Sequence, residues 1–244
     1  MLRCMEIGEK LPRLVRRMGG DLYGVADLTP AVDAMARTGL DAREWPRAIS
    51  VGIVLAHSVV DQLPQGRETR SLAITYQVEC YDLVNRRLED IASRVASELQ
   101  KQGYRALPIP SRERIDDERI CALFSHKMAA HLAGLGWIGK SCLLVTPQAG
   151  PRVRWVTVLT TAPLTPTGAP MEQRCGECRE CVDACPVGAF TGRAFDENEP
   201  REARYDARAC QDYLDELGSR KERGVCGMCL SVCPHGRKAS QMLK

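Results

Sequence analysis

The chain has 244 residues, 44% of them apolar and 27% charged, with a formal net charge of +3. That is enough apolar material for a buried core, and too small an excess charge to mark a nucleic-acid-binding protein by itself. No signal-peptide-like run opens the chain, and its longest apolar run, 49–56, falls far short of a membrane span. An unsecreted, cytoplasmic protein without a membrane partner is expected.

Taken in chain order, Thr29 followed by Pro30 suggests an N-cap and first helical residue, opening a helix to about Arg37. Residues 49–56 are β-branched and apolar, which suits a buried strand. From 82 to 102, Leu83, Val84, Leu88, Ile91, Ala92, Val95 and Leu99 recur at helical spacing, with Gly103 as a stop. A short strand follows at 105–109. Ser125 can cap a helix over 126–133, ended by Gly134. Val, Thr and Trp enrichment makes 143–146 and 153–161 strands. The run APLTPTGAP, 162–170, has three prolines and no charge and reads as a linker. An α/β cofactor-binding domain over 1–165 and a second domain over 171–244 are therefore expected. The second has few large apolar residues and needs covalent or metal staples.

Twelve cysteines is an abnormal number. In a reducing compartment, clustered cysteines bind metal or do redox work. Cys4, Cys80, Cys121 and Cys142 are scattered and read as buried free thiols. The other eight lie between residues 175 and 233. Cys175, Cys178, Cys181 and Cys185 form C-x2-C-x2-C-x3-C, followed by Pro186, which is the bacterial ferredoxin spacing. Three such cysteines wrap one iron–sulfur cube. The fourth is expected to begin a helix that points away, and so to ligate the other cube. Cys226, Cys229 and Cys233, then Pro234, repeat the run without its first member, whose place is taken by Arg223. Cys210, in a helical stretch, is the spare thiol. The assignment is Cys175, Cys178, Cys181 and Cys233 on one [4Fe–4S] cluster, and Cys185, Cys210, Cys226 and Cys229 on the other. Zinc, which favours separated C-x2-C pairs, fits poorly. A three-iron second cluster with Cys210 as spectator is the other alternative.

Residues 134–141, GLGWIGKS, match both G-x-G-x-x-G and G-x4-G-K-S. Phosphate-binding versions need a strand before and a helix after. Here a helix precedes and a strand follows, so the glycines read as a tight turn, one that also touches a cofactor.

AGLGWIGK, 133–140, followed by the two cysteine runs and Cys210, resembles the epoxyqueuosine reductase family. Residues 143–164 are also similar to the core of reductive dehalogenases. The resemblance implies a nitroreductase-like α/β sandwich followed by a small ferredoxin-like domain with two [4Fe–4S] clusters. It implies an iron–sulfur reductase that passes electrons to a base-off cobalamin, with FMN as the alternative cofactor. It also implies a low-potential donor of ferredoxin or flavodoxin type, and a small-molecule or modified-nucleoside substrate. Gly134, Gly136, Gly139, Lys140, Ser141, Thr146 and Arg152 are the candidate cofactor contacts. The family's catalytic Asp falls, counting back from the motif, on Ile120; Asp116, Asp117 and His126 are the nearby candidates for a proton donor. The family usually continues into a helical-repeat domain that helps bind tRNA, whereas this sequence ends soon after Cys233. Recognition of tRNA is therefore not expected. The competing expectation is an electron-transfer protein that docks a partner or a flavin.

Overall fold

The computed structural model describes residues 2–66, 69–221 and 224–243. A four-stranded antiparallel sheet lies at its centre, in the order β1 (Leu22–Asp27), β2 (Arg47–Val54), β6 (Val153–Thr160), β3 (Ala106–Ile109). A separate ribbon joins β4 (Trp137–Ile138) to β5 (Leu144–Val145).

Register sorts the sheet's side chains. Ile49 pairs with Val158 and Val51 with Val156, and these join one core under the helices Leu2–Arg17 and Val84–Lys101. Those helices bury Ile7, Leu11, Val15 and Leu88, Ile91, Val95, Leu99, the three-to-four-residue spacing that puts apolar groups on one face. The opposite face pairs Ala48 with Leu159 and carries the helix His126–Leu132. Two glycines admit these contacts. A Cβ at Gly24 would lie 2.9 Å from that of Ala133, and one at Gly52 would lie 2.7 Å from the Trp155 ring.

The expected strands at 49–56, 105–109, 143–146 and 153–161 are present, some shorter. Ser125 caps its helix, accepting from the Met128 amide. Gly103 and Gly134, both at positive φ, follow their helices. Other expectations need correcting. Thr29 is no cap: its amide and hydroxyl both donate to Asp27, and Thr29–Ala31 forms a 3-10 turn before the helix Val32–Ala36. Leu83 leaves the apolar stripe and is 39% exposed. The cause is a π-helical turn, Val78–Leu83, joining Arg70–Gln77 to the long helix and shifting the phase of the stripe. Arg154 Nε donates to the Cys80 carbonyl within that turn at 2.7 Å.

The 162–170 run is packed along β1 rather than hanging as a loose spacer. Ala162 and Leu164 are buried, the Thr167 amide donates to the Val25 carbonyl, and the Val25 amide donates to the Thr167 hydroxyl. Extended backbone on an edge strand explains this; proline-rich composition does not distinguish it from a free linker. Of the four scattered cysteines, Cys80 and Cys142 are buried, but Cys121 is only half-buried, and the Cys4 side chain lies outside the described residues. No described helix is long and apolar enough to cross a membrane.

Candidate iron–sulfur centre and the seam beside it

The eight C-terminal thiols are brought close enough to repel one another. Cys175 starts a turn in which the Cys178 amide donates to its carbonyl, and Cys181 lies in the helix Glu180–Asp183. Burial pushes the Cys181 thiol up to about 11, with Cys233, Cys175 and Cys178 adding repulsion in that order. Burial also pushes up Cys229, and there the repelling neighbours are Cys226 and Cys210, then Cys181 and Cys185. Thiols of the two runs thus crowd one another: Cys233 stands with Cys175 and Cys178 around Cys181, and Cys229 feels Cys181 as well as Cys226, Cys210 and Cys185. Thiolates crowded this way repel unless a cation neutralises them, which is what cluster iron supplies.

Local folding aims further groups at the sulfurs. Cys233 caps the helix Pro234–Gln241, with Pro234 in its first turn. Burial raises the Cys233 thiol, while the amides of His235 and Gly236 hydrogen-bond to it and oppose the rise. Cys185 does not begin a helix, contrary to expectation. It follows the helix Glu180–Asp183, its sulfur accepts from the Ala189 amide at 3.3 Å, and Gly188 at positive φ turns the chain into a bridge between Phe190 and Tyr205. Cys210 sits in the first turn of the helix Ala207–Lys221.

Several buried donors near these loops find no partner among the described residues: Trp137 Nε1, Gln173 Nε2, Arg152 Nε and Arg204 Nε. Trp137 packs edge-on against His235 and under Arg174, and Gln173 lies two residues before Cys175. Orphaned N–H groups beside thiol loops suit the sulfur acceptors of a cluster. Among the described residues, no three His, Cys, Asp or Glu side chains converge as ligands of one metal ion.

The glycine motif forms the seam against these loops. A Cβ at Gly136 would lie 2.3 Å from the Val145 carbonyl oxygen, and one at Gly134 would lie 3.0 Å from the Ala169 backbone. A Cβ at Gly139 would approach the Cys175 sulfur at 3.5 Å. Lys140 Nζ donates to the carbonyls of Gly176 at 2.6 Å and Cys178 at 3.2 Å, bracing the first cysteine loop. Ser141 is buried, and Thr146 closes the 146–150 turn through Gly150 and Ala149. Arg152 is fully buried, its guanidinium bonded to Asp61, His57 and the Ser231 carbonyl. The side chains of Lys140, Thr146 and Arg152 are engaged within the chain, and the glycines make room for backbone.

His126 bonds through both ring nitrogens: Nδ1 to the Thr157 hydroxyl at 2.9 Å and Nε2 to the Pro110 carbonyl at 3.1 Å. A carbonyl only accepts, so Nε2 carries the proton and Nδ1 accepts from Thr157. Burial lowers this histidine to about 4, which keeps it neutral. The Asp116 carboxylate accepts from the Arg119 amide inside its own loop. That loop is clamped from the cysteine-rich region. Arg201 donates to the carbonyls of Ile120, at 2.9 Å, and Arg119; Arg208 donates to those of Asp117 and Glu118. Ile120 takes φ +51, a left-handed conformation rare for a β-branched residue. Sequence reasoning missed these two arginines, since no motif marks them.

A family profile described as "4Fe-4S double cluster binding domain" matches residues 174–236. The epoxyqueuosine reductase of Pseudomonas aeruginosa is 31% identical over 257 residues, covering 96% of this chain and 64% of that protein. The Bacillus anthracis enzyme of the same name is 30% identical over 46% of this chain and 30% of its own length. The chain thus spans less than two thirds of these relatives. Among solved structures, an epoxyqueuosine reductase with a modified tRNA stem loop superposes with TM-score 0.59 at 18% identity, over 96% of this chain and 66% of that one. A catabolic reductive dehalogenase gives TM-score 0.69 at 20% identity, over 96% of this chain and 33% of the other. A dehalogenase structure presented as suggesting a mechanism for B12-dependent dehalogenation gives 0.68 at 20%, over 97% and 34%.

Proposed function

We propose that this chain, an epoxyqueuosine reductase-like iron–sulfur protein, is a reductase that moves electrons through two [4Fe–4S] clusters to an acceptor held against the α/β sandwich. The observation that carries the reading is the crowding of thiols from both cysteine runs, Cys233 with Cys175 and Cys178 around Cys181, and Cys226 and Cys210 foremost around Cys229. Cys175, Cys178, Cys181 and Cys233 would hold one cluster; Cys185, Cys210, Cys226 and Cys229 would hold the other. We read the unit over 171–244 as the cluster domain and that over 1–165 as the acceptor domain. A low-potential ferredoxin- or flavodoxin-type donor and a cytoplasmic location suit this chemistry.

For the acceptor we infer a corrinoid, in line with the B12-dependent neighbour in fold. Such a cofactor would supply a strongly reducing centre that removes a leaving group from substrate. Of the seven candidate contact residues, Thr146 and Arg152 are buried in bonds of their own, Lys140 is engaged by the first cysteine loop and Gly136 faces the Val145 carbonyl, so these four do not cradle it. What the chain's own residues contribute is a cysteine loop braced by Lys140 and a clamped loop at 114–121 that carries Asp116 and Asp117, which with His126 are the candidate acid–base groups. The substrate class we infer is a modified nucleoside, the chemistry that gives the curated relatives their name.

A second reading follows from Ile120 at the family's catalytic position: an electron carrier that docks a redox partner or flavin without turnover. One experiment separates them. Protein purified and reconstituted without oxygen is analysed for iron, then titrated with cobalamin and with FMN while the absorption spectrum is followed. Eight irons per chain with a bound-corrinoid spectrum support the first reading. Eight irons with neither cofactor bound leave the carrier. Far fewer irons after careful reconstitution overturn both.

A further inference from the structure

The helix Leu2–Arg17 carries its two weakest helix formers one turn apart, Gly8 and Pro12. Proline has no amide, so the Gly8 carbonyl loses the donor that an unbroken helix would give it, and the proline ring pushes that carbonyl outward. Packing does not demand the glycine. A Cβ at Gly8 would meet nothing within 4 Å, whereas one at Gly24 would lie 2.9 Å from that of Ala133. Nor does Gly8 take the left-handed conformation that glycine alone adopts freely. A residue that breaks a local rule with no compensating contact points to function.

Both residues line a half-open groove of about 500 Å³, within the size range of small-molecule sites. Tyr23 and Val25, alternate residues of β1 and so on one face of the sheet, also line it and pack in the core under this helix. Leu164 and Thr167 of the 162–170 run form the remaining wall. The Thr167 hydroxyl is taken, accepting from the Val25 amide and donating to the Ala133 carbonyl. The Tyr23 hydroxyl is buried and finds no partner among the described residues. Burial also pushes the Tyr23 phenol up, so it keeps its proton and can donate. A buried hydroxyl without a partner is rare in native proteins. Glu9, at the same groove, lies 3.6 Å from Arg13, so its charge is matched.

We propose that this groove binds an uncharged, largely apolar small molecule that carries one N–H or O–H donor beside one acceptor. The donor reaches the Gly8 carbonyl, the acceptor takes the Tyr23 hydroxyl, and the apolar body lies against Pro12, Val25 and Leu164. Matched charge at Glu9 and Arg13 and mostly apolar walls leave no counter-charge for an ion. The groove shares no lining residue with the cysteine loops, so the inference stands apart from the two-cluster reading.

The test uses isotope-labelled, reconstituted protein under anoxia and follows backbone amide resonances. Oxindole, a flat lactam with an N–H beside a C=O, is the probe, and N-methyloxindole, which lacks the donor, is its match. Oxindole should shift the amides of Gly8, Glu9, Tyr23 and Thr167 saturably, and N-methyloxindole should bind about fivefold more weakly. Tyr23→Phe should weaken oxindole by a similar factor yet melt no lower than the parent, because its hydroxyl has no partner within the described chain to lose. Gly8→Leu should fill the groove and abolish binding at unchanged iron content. Without any ligand, Gly8→Ala should raise the melting temperature by about 3 °C, the gain of a better helix former. The inference is overturned by the absence of saturable shifts, by equal affinity for the two probes, or by binding that survives Gly8→Leu. A fall in melting temperature for Gly8→Ala would also overturn it, since the fold itself would then need the glycine.

Discussion

Arg152 Nη1 lies 2.7 Å from Asp61 Oδ1, although Arg152 is wholly buried and Asp61 is 39% exposed. The pair ties β6 and the helix His57–Asp61 to the C-terminal tail, because Arg152 Nη2 also donates to the Ser231 carbonyl and Asp61 accepts from Ser240. Burial alone would raise Asp61, but Ser240, Arg152 and His57 together hold it below the usual carboxylate range. Asp61→Asn leaves a buried guanidinium without its carboxylate, whereas Arg152→Met removes the charge and fills the volume. The first is expected to cost about 2 kcal/mol and the second less. Their double variant should cost less than the sum of the two. Thermal melting of the four proteins under anoxia, as a double-mutant cycle, checks this.

The crosswise thiol sets predict which cysteine losses look alike. Cys233→Ala, in the second run, should remove the same cluster signal as Cys175→Ala in the first. Cys226→Ala and Cys185→Ala should share the other. Each is expected to retain about half the iron of the parent if the remaining cube assembles independently. Spectra that sort by run rather than by crossing would refute the assignment.

Where sequence period and side-chain chemistry coincided, the fold was legible. Residues Leu88 to Leu99 read directly as a buried helical stripe, and the Val, Thr and Trp enrichment of β6 as a strand. The cysteine runs were legible because the spacing itself is the geometry of a cube. The π-helical turn at 78–83 was not, since one extra residue per turn leaves no compositional trace. Nor was the short strand β1, whose glycine is demanded by the helix packed above it. Most of the seam was hidden for a different reason. Arg201 and Arg208 act through carbonyls more than eighty residues away, and an arginine far from any motif looks like solvated surface.

The glycine motif gives a contrast between packing and backbone conformation. Gly136→Ala forces a Cβ to within 2.3 Å of the Val145 carbonyl oxygen, and backbone has little room to yield. A loss of about 3 kcal/mol or failure to fold is expected. Gly39→Ala meets nothing within 4 Å and carries only the strain of φ +79, about 1 kcal/mol. Comparing melting temperatures of the two variants measures the difference. Equal shifts would mean that close approach at the β4–β5 ribbon is not what the motif supplies.

Arg201 should set the order of the acidic loop. It bonds two carbonyls of a loop that also contains the left-handed Ile120, so the loop's conformation depends on contacts made from outside it. Arg201→Gln is expected to raise amide exchange across 114–121 by about tenfold, the loss of one charge-assisted bond. Iron content and exchange in the central sheet should not change. Exchange unaltered in the loop would show that Arg208 and the local turn suffice.

His126 makes a pH prediction whose sign is fixed by its environment. Burial, the largest cause, lowers it to about 4 from the 6.5 of an unperturbed imidazole, and the nearby Lys127 adds to the fall. Between those values the unfolded chain binds a proton that the folded chain does not, so stability falls as pH drops through that window. Its contribution is fully present above about pH 6.5 and should decline by about 1 kcal/mol between pH 7.5 and 5.5. His126→Asn removes the titrating group. Its stability at pH 7.5 should be lower, because the Thr157 and Pro110 bonds are disturbed, yet its loss on acidification to pH 5.5 should be smaller than the parent's by that amount. Anoxic urea titrations of both proteins at the two pH values give the four midpoints required. Parallel pH dependence in parent and variant would mean that His126 takes up its proton in the folded chain as readily as in the unfolded one, and that its place against β6 is more open to water than its two bonds indicate.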